Sequence, residues 1–146
     1  SSGCGRSFVC CYSLLVGRSD ADNSSPWCLA TQREGMVITV KKVLILEGSP
    51  RRNGNSAILS EEFARGAKEA GGDVEKVWIT GKKIAGCLGC NGCYRNGGEC
   101  VLKDDMAEIR EKMLAADVIV LVSPIYFYSM TAQMKAVIDR SYAFFQ

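Results

Sequence analysis

The sequence has no histidine, little net charge and no long apolar stretch. Without histidine, neither a Ser-His-Asp triad nor a metal site built on imidazole ligands is possible. The net charge is +2 and no run of lysine and arginine exceeds two residues, so we expect no nucleic-acid partner. The longest apolar stretch near the N-terminus, residues 8–16, is well short of the roughly 20 residues that a transmembrane helix requires, and we expect no membrane span.

The composition is that of an ordinary globular protein, with 47% apolar and 23% charged residues in a chain of 146. Residues 1–36 show no sustained periodicity and are predicted to be a poorly ordered leader, whereas residues 37–146 are predicted to form one domain. The pattern of the rest of the chain is typical of an α/β enzyme of the reducing cytosol. We therefore expect a cytoplasmic protein with reduced thiols. The scattered N-terminal cysteines are assigned to no site: Cys4, Cys10, Cys11 and Cys28.

Three apolar segments predict β-strands, and amphipathic segments between them predict helices. Residues 43–46 and 118–122 are continuous apolar runs, typical of parallel strands that are covered on both faces. The second strand is marked by Val74, Val77, Trp78 and Ile79. The first helix is marked by Ile58, Leu59, Phe63 and Ala67, which recur at helical spacing, and it stops at Gly71 and Gly72. This alternation indicates a doubly wound parallel sheet, in which ligands bind beyond the carboxyl ends of the strands.

The loop after the first strand, residues 47–56, leads directly into a helix N-terminus. Such a junction favours an anion, because free peptide N–H groups and the helix dipole both point at it. Ser49, Asn55 and Ser56 can add hydrogen bonds, and Arg51 or Arg52 can add positive charge. The loop has neither the Gly-Lys-Ser/Thr ending of a Walker A motif nor the three-glycine dinucleotide pattern. The alternative is a generic turn with an Asn or Ser cap.

The loop after the third strand, residues 123–131, contains three consecutive aromatic residues, Tyr126, Phe127 and Tyr128. At the mouth of a sheet these side chains can stack on a flat ligand such as an isoalloxazine ring. The alternative is that they cover a helix end or form a dimer contact.

The cysteines at 87, 90, 93 and 100 are separated by two, two and six residues, with glycines between them. Four closely spaced thiolates can hold a four-iron four-sulfur cluster, and they can also hold zinc. Free or redox-active thiols are the third alternative. After this loop, Asp105 and Glu108 resemble a capping box, and we interpret Asp104 as a helix cap rather than an acid or base.

Three segments together resemble one known family: VLILEGSPRRNGNS, IAGCLGCNGC with GGECVLKDDM, and VSPIYFYSMTAQMKAVIDR. They are similar to the NAD(P)H-dependent FMN reductases of the flavodoxin-like superfamily, especially the iron-sulfur flavoproteins, over residues 42–146. The resemblance implies FMN, a 4Fe-4S cluster on Cys87, Cys90, Cys93 and Cys100, and NAD(P)H or ferredoxin as electron donor. The residues predicted to bind FMN are Ser49, Arg51, Asn53, Asn55, Ser56, Pro124, Ile125, Tyr126, Phe127, Tyr128, Ser129 and Met130.

The expected function is therefore an FMN-dependent oxidoreductase that delivers electrons to a small molecule or an electron-carrier protein. A cluster-free flavin or quinone reductase and a noncatalytic zinc-binding module are the alternatives. The resemblance also implies a homo-oligomer at full length.

A flavodoxin-like sheet has five parallel strands, whereas this sequence supplies three before it ends in the third helix. We therefore expect a truncated flavodoxin-like fold whose third strand is an unprotected edge. Such a chain is expected to bind FMN weakly or to aggregate.

Overall fold

The computed structural model describes residues 9–14 and 40–145. Within them, one sheet contains β1 (Val9–Leu14), β2 (Lys42–Glu47), β3 (Asp73–Trp78) and β4 (Val118–Pro124) in the spatial order β1-β4-β2-β3. The central strand β2 pairs in parallel with β3 on one side and with β4 on the other. The three parallel strands are those predicted from the apolar runs.

Helices cover both faces of the sheet. They are α1 (Asn55–Glu69), α2 (Gly92–Arg95), α3 (Met106–Ala115) and α4 (Ala132–Arg140). Leu44 and Leu46 of β2 belong to the core cluster under α3 and α4, whereas Val43 and Ile45 belong to the cluster under α1. This alternation confirms the predicted doubly wound α/β fold. Across the described ranges, none of the helices is long and apolar enough to cross a membrane.

Helix α1 forms where it is predicted, and it ends as predicted before Gly71, which adopts a φ of +86°. Its buried residues are small: Ser56, Ser60 and Ala64. They are spaced four residues apart, so they lie on one face and let the helix approach the sheet closely. The Ser60 hydroxyl also donates to the buried carboxylate of Glu47, at 3.3 Å.

The apolar residues that mark α1 in the sequence lie mainly outside the core. The side chains of Ile58, Leu59 and Phe63 are 60%, 51% and 43% exposed. Only Ala67, of the four marking residues, packs against the core cluster on this face of the sheet. The sequence pattern therefore predicts the helix but not the face that it buries.

The prediction that β4 is an unprotected edge is wrong. Strand β1 pairs with β4 in antiparallel orientation, from Val9 opposite Pro124 to Leu14 opposite Ile119. Six residues of the predicted leader thus form a strand. The rest of that leader, residues 1–8 and 15–36, lies outside the described residues, so the division of the chain at residue 36 stays a prediction.

Candidate functional site

The loops that follow β2 and β4 are joined at their bases. Because the two strands are parallel neighbours, both loops leave the same edge of the sheet. The peptide N–H of Gly48 donates to the carbonyl of Val122 at 2.8 Å, and the Thr131 hydroxyl donates to the carbonyl of Gly48 at 2.9 Å. A Cβ atom at residue 48 would lie 3.0 Å from Thr131 Oγ1 and 3.1 Å from Met134 Cβ. Glycine is what permits this close approach.

The first loop is a compact turn between β2 and α1. The buried Ser49 hydroxyl lies 3.2 Å from both the N and the O atom of Arg51, and Gly54 N–H donates to the Arg51 carbonyl at 3.4 Å. Of the residues predicted to bind a phosphate, Ser49 and Ser56 are buried, whereas Arg51, Asn53 and Asn55 are exposed. Buried hydroxyl groups and exposed polar side chains therefore both lie near the start of α1.

The N-terminus of α1 has the properties of an anion site. Its N-cap is Gly54, and no side chain in the described part of the protein hydrogen-bonds this end of the helix. The first N–H groups of a helix have no partner inside the helix, and in a helix of 15 residues they are aligned with its dipole. The Asn or Ser side-chain cap expected in the alternative is therefore not formed at this end of α1.

Two residues that sequence reasoning missed hold this loop from the side of β3. The Trp78 indole N–H and the Thr80 hydroxyl both donate to the carbonyl of Ser49, at 2.7 and 3.2 Å. The guanidinium of Arg52 stacks on the Trp78 ring, with its carbon 3.7 Å from the ring centroid. Arg52 is thereby directed toward β3, which leaves Arg51 as the better candidate to contact an anion.

The second loop is a tight hairpin that displays two aromatic rings. Tyr126 and Ser129 exchange backbone hydrogen bonds of 2.7 and 3.1 Å around Phe127 and Tyr128. The central residues have φ values of 47° and 65°, the left-handed region that bulky residues rarely adopt. Both are 96% exposed. Backbone strain of this kind concentrates at ligand sites. Stability alone would favour Asn-Gly at these two positions, because those residues adopt the left-handed region easily.

The ends of this hairpin are fixed to the rest of the fold. The Ser123 hydroxyl accepts from the N–H of Thr131 at 3.0 Å, which closes the loop where α4 begins. Met130 packs against the core cluster under α3 and α4. Among the residues predicted to contact a flavin ring, those at 125–129 are exposed, and Pro124 and Met130 are half-buried. The exposed residues therefore sit on a firmly attached base.

The cysteine-containing loop is closed at its neck by a buried ion pair. Arg140, at the end of α4, donates to both carboxylate oxygens of Asp104 at 2.8 and 3.1 Å. It also donates to the carbonyls of Ala85 at 3.0 Å and Leu102 at 3.5 Å, one at each end of the loop. Arg140 is only 4% exposed. A charge buried to this extent requires such a partner, because desolvation is otherwise very costly.

Burial alone would raise the pKa of Asp104, but other interactions outweigh it. Hydrogen bonds from Arg140 and from the N–H groups of Ala85 and Met106 hold the pKa of Asp104 below its ordinary value. The predicted capping box is wrong: Asp105 occupies the N-cap position of α3, but its carboxylate accepts from Lys83 N–H at 2.7 Å. Both aspartates therefore close the cysteine loop.

The four cysteines in this loop form no disulfide. Cys87 and Cys90 are exposed, and Cys93 and Cys100 are partly buried. Within residues 9–14 and 40–145, no group of three or more metal-ligating side chains is arranged to hold a metal ion. In this structure the cysteines therefore do not form a site for a single ion such as zinc.

Comparison with known proteins assigns the chain to a family. The family model for NADPH-dependent FMN reductases matches residues 41–145. The chain belongs to this family. The match begins just before β2 and includes both loops and the cysteine-containing loop between them. No solved structure gives a significant match.

Curated relatives of this FMN reductase family member include three archaeal iron-sulfur flavoproteins. The chain is 44% identical to one from Archaeoglobus fulgidus, over 69% of its own length and 45% of that protein. It is 41% identical to one from Methanocaldococcus jannaschii, over 68% of its length and 51% of that protein. A third, from Methanosarcina thermophila, is 40% identical over 68% of the chain and 52% of the relative. The chain thus spans about half the length of the curated relatives that it matches.

The residues of the two joined loops fit the cofactor that gives the family its name. The uncapped start of α1 suits the phosphate of FMN, and the aromatic hairpin suits its ring. Gly48 joins the bases of these two loops.

Proposed function

We propose that this chain forms the FMN-binding part of an oxidoreductase that takes electrons from NAD(P)H or ferredoxin. The main support is the hydrogen-bonded junction between the two loops, Thr131 to Gly48 and Gly48 to Val122, at one edge of the sheet. Family membership supports FMN as the ligand. When bound, a flavin accepts an electron pair and can release single electrons.

Each loop has a separate task in this proposal. The start of α1, with Ser49, Ser56 and Arg51 beside it, neutralises and orients the phosphate. The exposed rings of Phe127 and Tyr128 stack on or border the isoalloxazine. Hairpin N–H groups can donate to the pyrimidine edge of the ring, where negative charge accumulates on reduction. The acceptor is a small molecule or an electron-carrier protein, and we propose a homo-oligomer.

Titration of the purified chain with FMN tests this function. We expect saturable but weak quenching of flavin fluorescence, and bleaching of the bound flavin by NADPH or NADH under anaerobic conditions. The variant Ser56→Ala should weaken binding, whereas Glu111→Gln, on the exposed side of α3, should not. Absence of FMN binding by the folded chain would rule out the proposal.

We propose further that the cysteine-containing loop carries an iron-sulfur cluster in the functional protein. The support is the two-, two- and six-residue spacing together with relatives that are named iron-sulfur flavoproteins. The neck of the loop is fixed by Asp104 and Arg140, which holds the two ends of this segment in place.

One measurement separates the alternatives for this loop. After anaerobic purification, the visible spectrum is recorded and iron, acid-labile sulfide and zinc are quantified. Iron and sulfide in equal amounts support the cluster. Flavin without metal identifies a cluster-free reductase, and zinc without flavin identifies a noncatalytic zinc-binding module.

A further inference from the structure

Trp78 connects the end of β3 to the loop predicted to bind phosphate. Its indole N–H donates to the Ser49 carbonyl at 2.7 Å, and the hydroxyl of Thr80 donates to the same oxygen at 3.2 Å. A carbonyl oxygen has two lone pairs, so these two donors satisfy it fully. In the sequence, Trp78 is predicted only as a strand residue.

The same indole also fixes the other side of the loop. The guanidinium carbon of Arg52 lies 3.7 Å from the centroid of the Trp78 ring, within the range of a cation–π interaction. Ser49 and Arg52 flank Pro50 and Arg51, so one side chain holds the loop at both ends of this short segment. Pro50 has a fixed φ and restricts the residue before it, which further limits the conformations open to Ser49.

We propose that Trp78, assisted by Thr80, is a positioning residue for the phosphate of FMN. A phosphate requires donors around it, and a carbonyl oxygen turned toward it would repel it. With both lone pairs of the Ser49 carbonyl engaged by β3-side donors, the loop presents its N–H groups and Arg51 to the anion instead. This inference rests on the proposed function and names the part of the ligand that is affected.

Comparison of FMN with riboflavin isolates the effect, because the two molecules share the ring and differ in the phosphate. The variant Trp78→Phe keeps an aromatic face for Arg52 but removes the N–H donor. We expect its dissociation constant for FMN to rise roughly tenfold, as for a lost hydrogen bond to a fixed acceptor. Its dissociation constant for riboflavin should be unchanged. Thr80→Val should show a smaller rise in the dissociation constant for FMN. Thr80→Ser keeps the hydroxyl and should bind FMN as the wild type does.

Two results would overturn this role. One is an equal loss of affinity for FMN and riboflavin, which indicates a general structural defect, and the other is unchanged FMN affinity in both Trp78→Phe and Thr80→Val.

Failure of the proposed function itself gives a different result. In that case the wild-type chain binds neither flavin, and amide hydrogen exchange then decides whether Trp78 sets the loop conformation. Faster amide exchange at residues 51–54 in Trp78→Phe, with unchanged exchange in β2, would show that Trp78 sets the loop conformation. Unchanged exchange at residues 51–54 would contradict this. If Trp78→Phe does not fold, Thr80→Val carries the same comparison.

Discussion

Asp104 is the residue on which the neck of the cysteine-containing loop depends. It accepts hydrogen bonds from the Arg140 guanidinium and from the N–H groups of Ala85 and Met106. The variant Asp104→Asn leaves Arg140 buried without a counter-charge, and we expect a loss of about 3 kcal/mol in unfolding free energy. Urea denaturation measures this loss. The control is Asp139→Asn, which breaks an exposed pair with Lys135 on α4 and should cost roughly 0.3–0.5 kcal/mol. Equal effects of the two variants would contradict the assignment.

The same carboxylate makes the protein sensitive to acid. The pKa of Asp104 is lowered in the folded state, so its contribution to stability is present above the ordinary aspartate pKa of about 3.9. It is lost as the pH falls below that value through the folded-state pKa, because the protonated carboxyl no longer pairs with Arg140. Unfolding free energies measured from about pH 6 to about pH 3 should therefore fall more steeply for the wild type than for Asp104→Asn. Parallel profiles would show that Asp104 is not the group responsible.

Gly48 is predicted to tolerate no side chain. A methyl group there would press on Thr131 Oγ1 and Met134 Cβ, and overpacking of this kind typically costs about 1–3 kcal/mol. Gly48→Ala should therefore be destabilised and should bind FMN more weakly. Gly66→Ala is the matched control, since nothing lies within 4 Å of its added Cβ and a helix-interior alanine should raise stability by about 0.5–1 kcal/mol. Thermal unfolding and FMN titration of both variants provide the test.

At the scale of elements, the aromatic hairpin at residues 126–129 has a strained backbone, which costs stability. The double variant Phe127→Asn/Tyr128→Gly suits the left-handed backbone, and we expect it to be more stable by roughly 1 kcal/mol. It should lose affinity for both FMN and riboflavin, because the rings that we propose contact the flavin are gone. The matched variant Phe127→Ala/Tyr128→Ala should lose the same affinity without the gain in stability. Unchanged flavin affinity in both variants would exclude the hairpin from the site.

Several elements could be predicted from sequence because local patterns determine them. The apolar runs predict β2 and β4, and Gly71 marks the end of α1. The remaining features depend on partners that are distant in the chain. Trp78 and Ser49 are 29 residues apart, and Arg140 and Ala85 are 55 residues apart, so no local pattern reveals either contact.

The buried face of α1 was not predictable for a different reason. Its core contacts are made by serines and an alanine, which hydrophobic periodicity does not detect. The short helix α2 inside the cysteine-containing loop was also missed, because it has only four residues and begins with glycine. Spacing alone also does not reveal whether the cysteines of the described fold form a single-ion metal site, which they do not.

At the scale of the whole molecule, β1 protects the edge of the sheet. It pairs along residues 119–124, which would otherwise present unpaired peptide groups to other chains. Deletion of residues 1–36 should therefore increase self-association, measured by sedimentation, and speed amide exchange in β4. Exchange in β3 should change little. If the shortened chain keeps the oligomeric state of the full chain with β4 as protected as before, the leader has no structural role and the division at residue 36 is supported.

Helix α4 fixes the spacing between the base of the two joined loops and the neck of the cysteine-containing loop. Thr131, immediately before it, bonds to Gly48, and Arg140, its last residue, bonds to Asp104. Each residue of an α-helix turns the chain by about 100°. One inserted or deleted residue within α4 would therefore rotate the Arg140 guanidinium to another side of the helix, while Thr131 kept its hydrogen bond to Gly48. The length of this segment is as constrained as any of its side chains, and natural variation in it should be limited to substitutions.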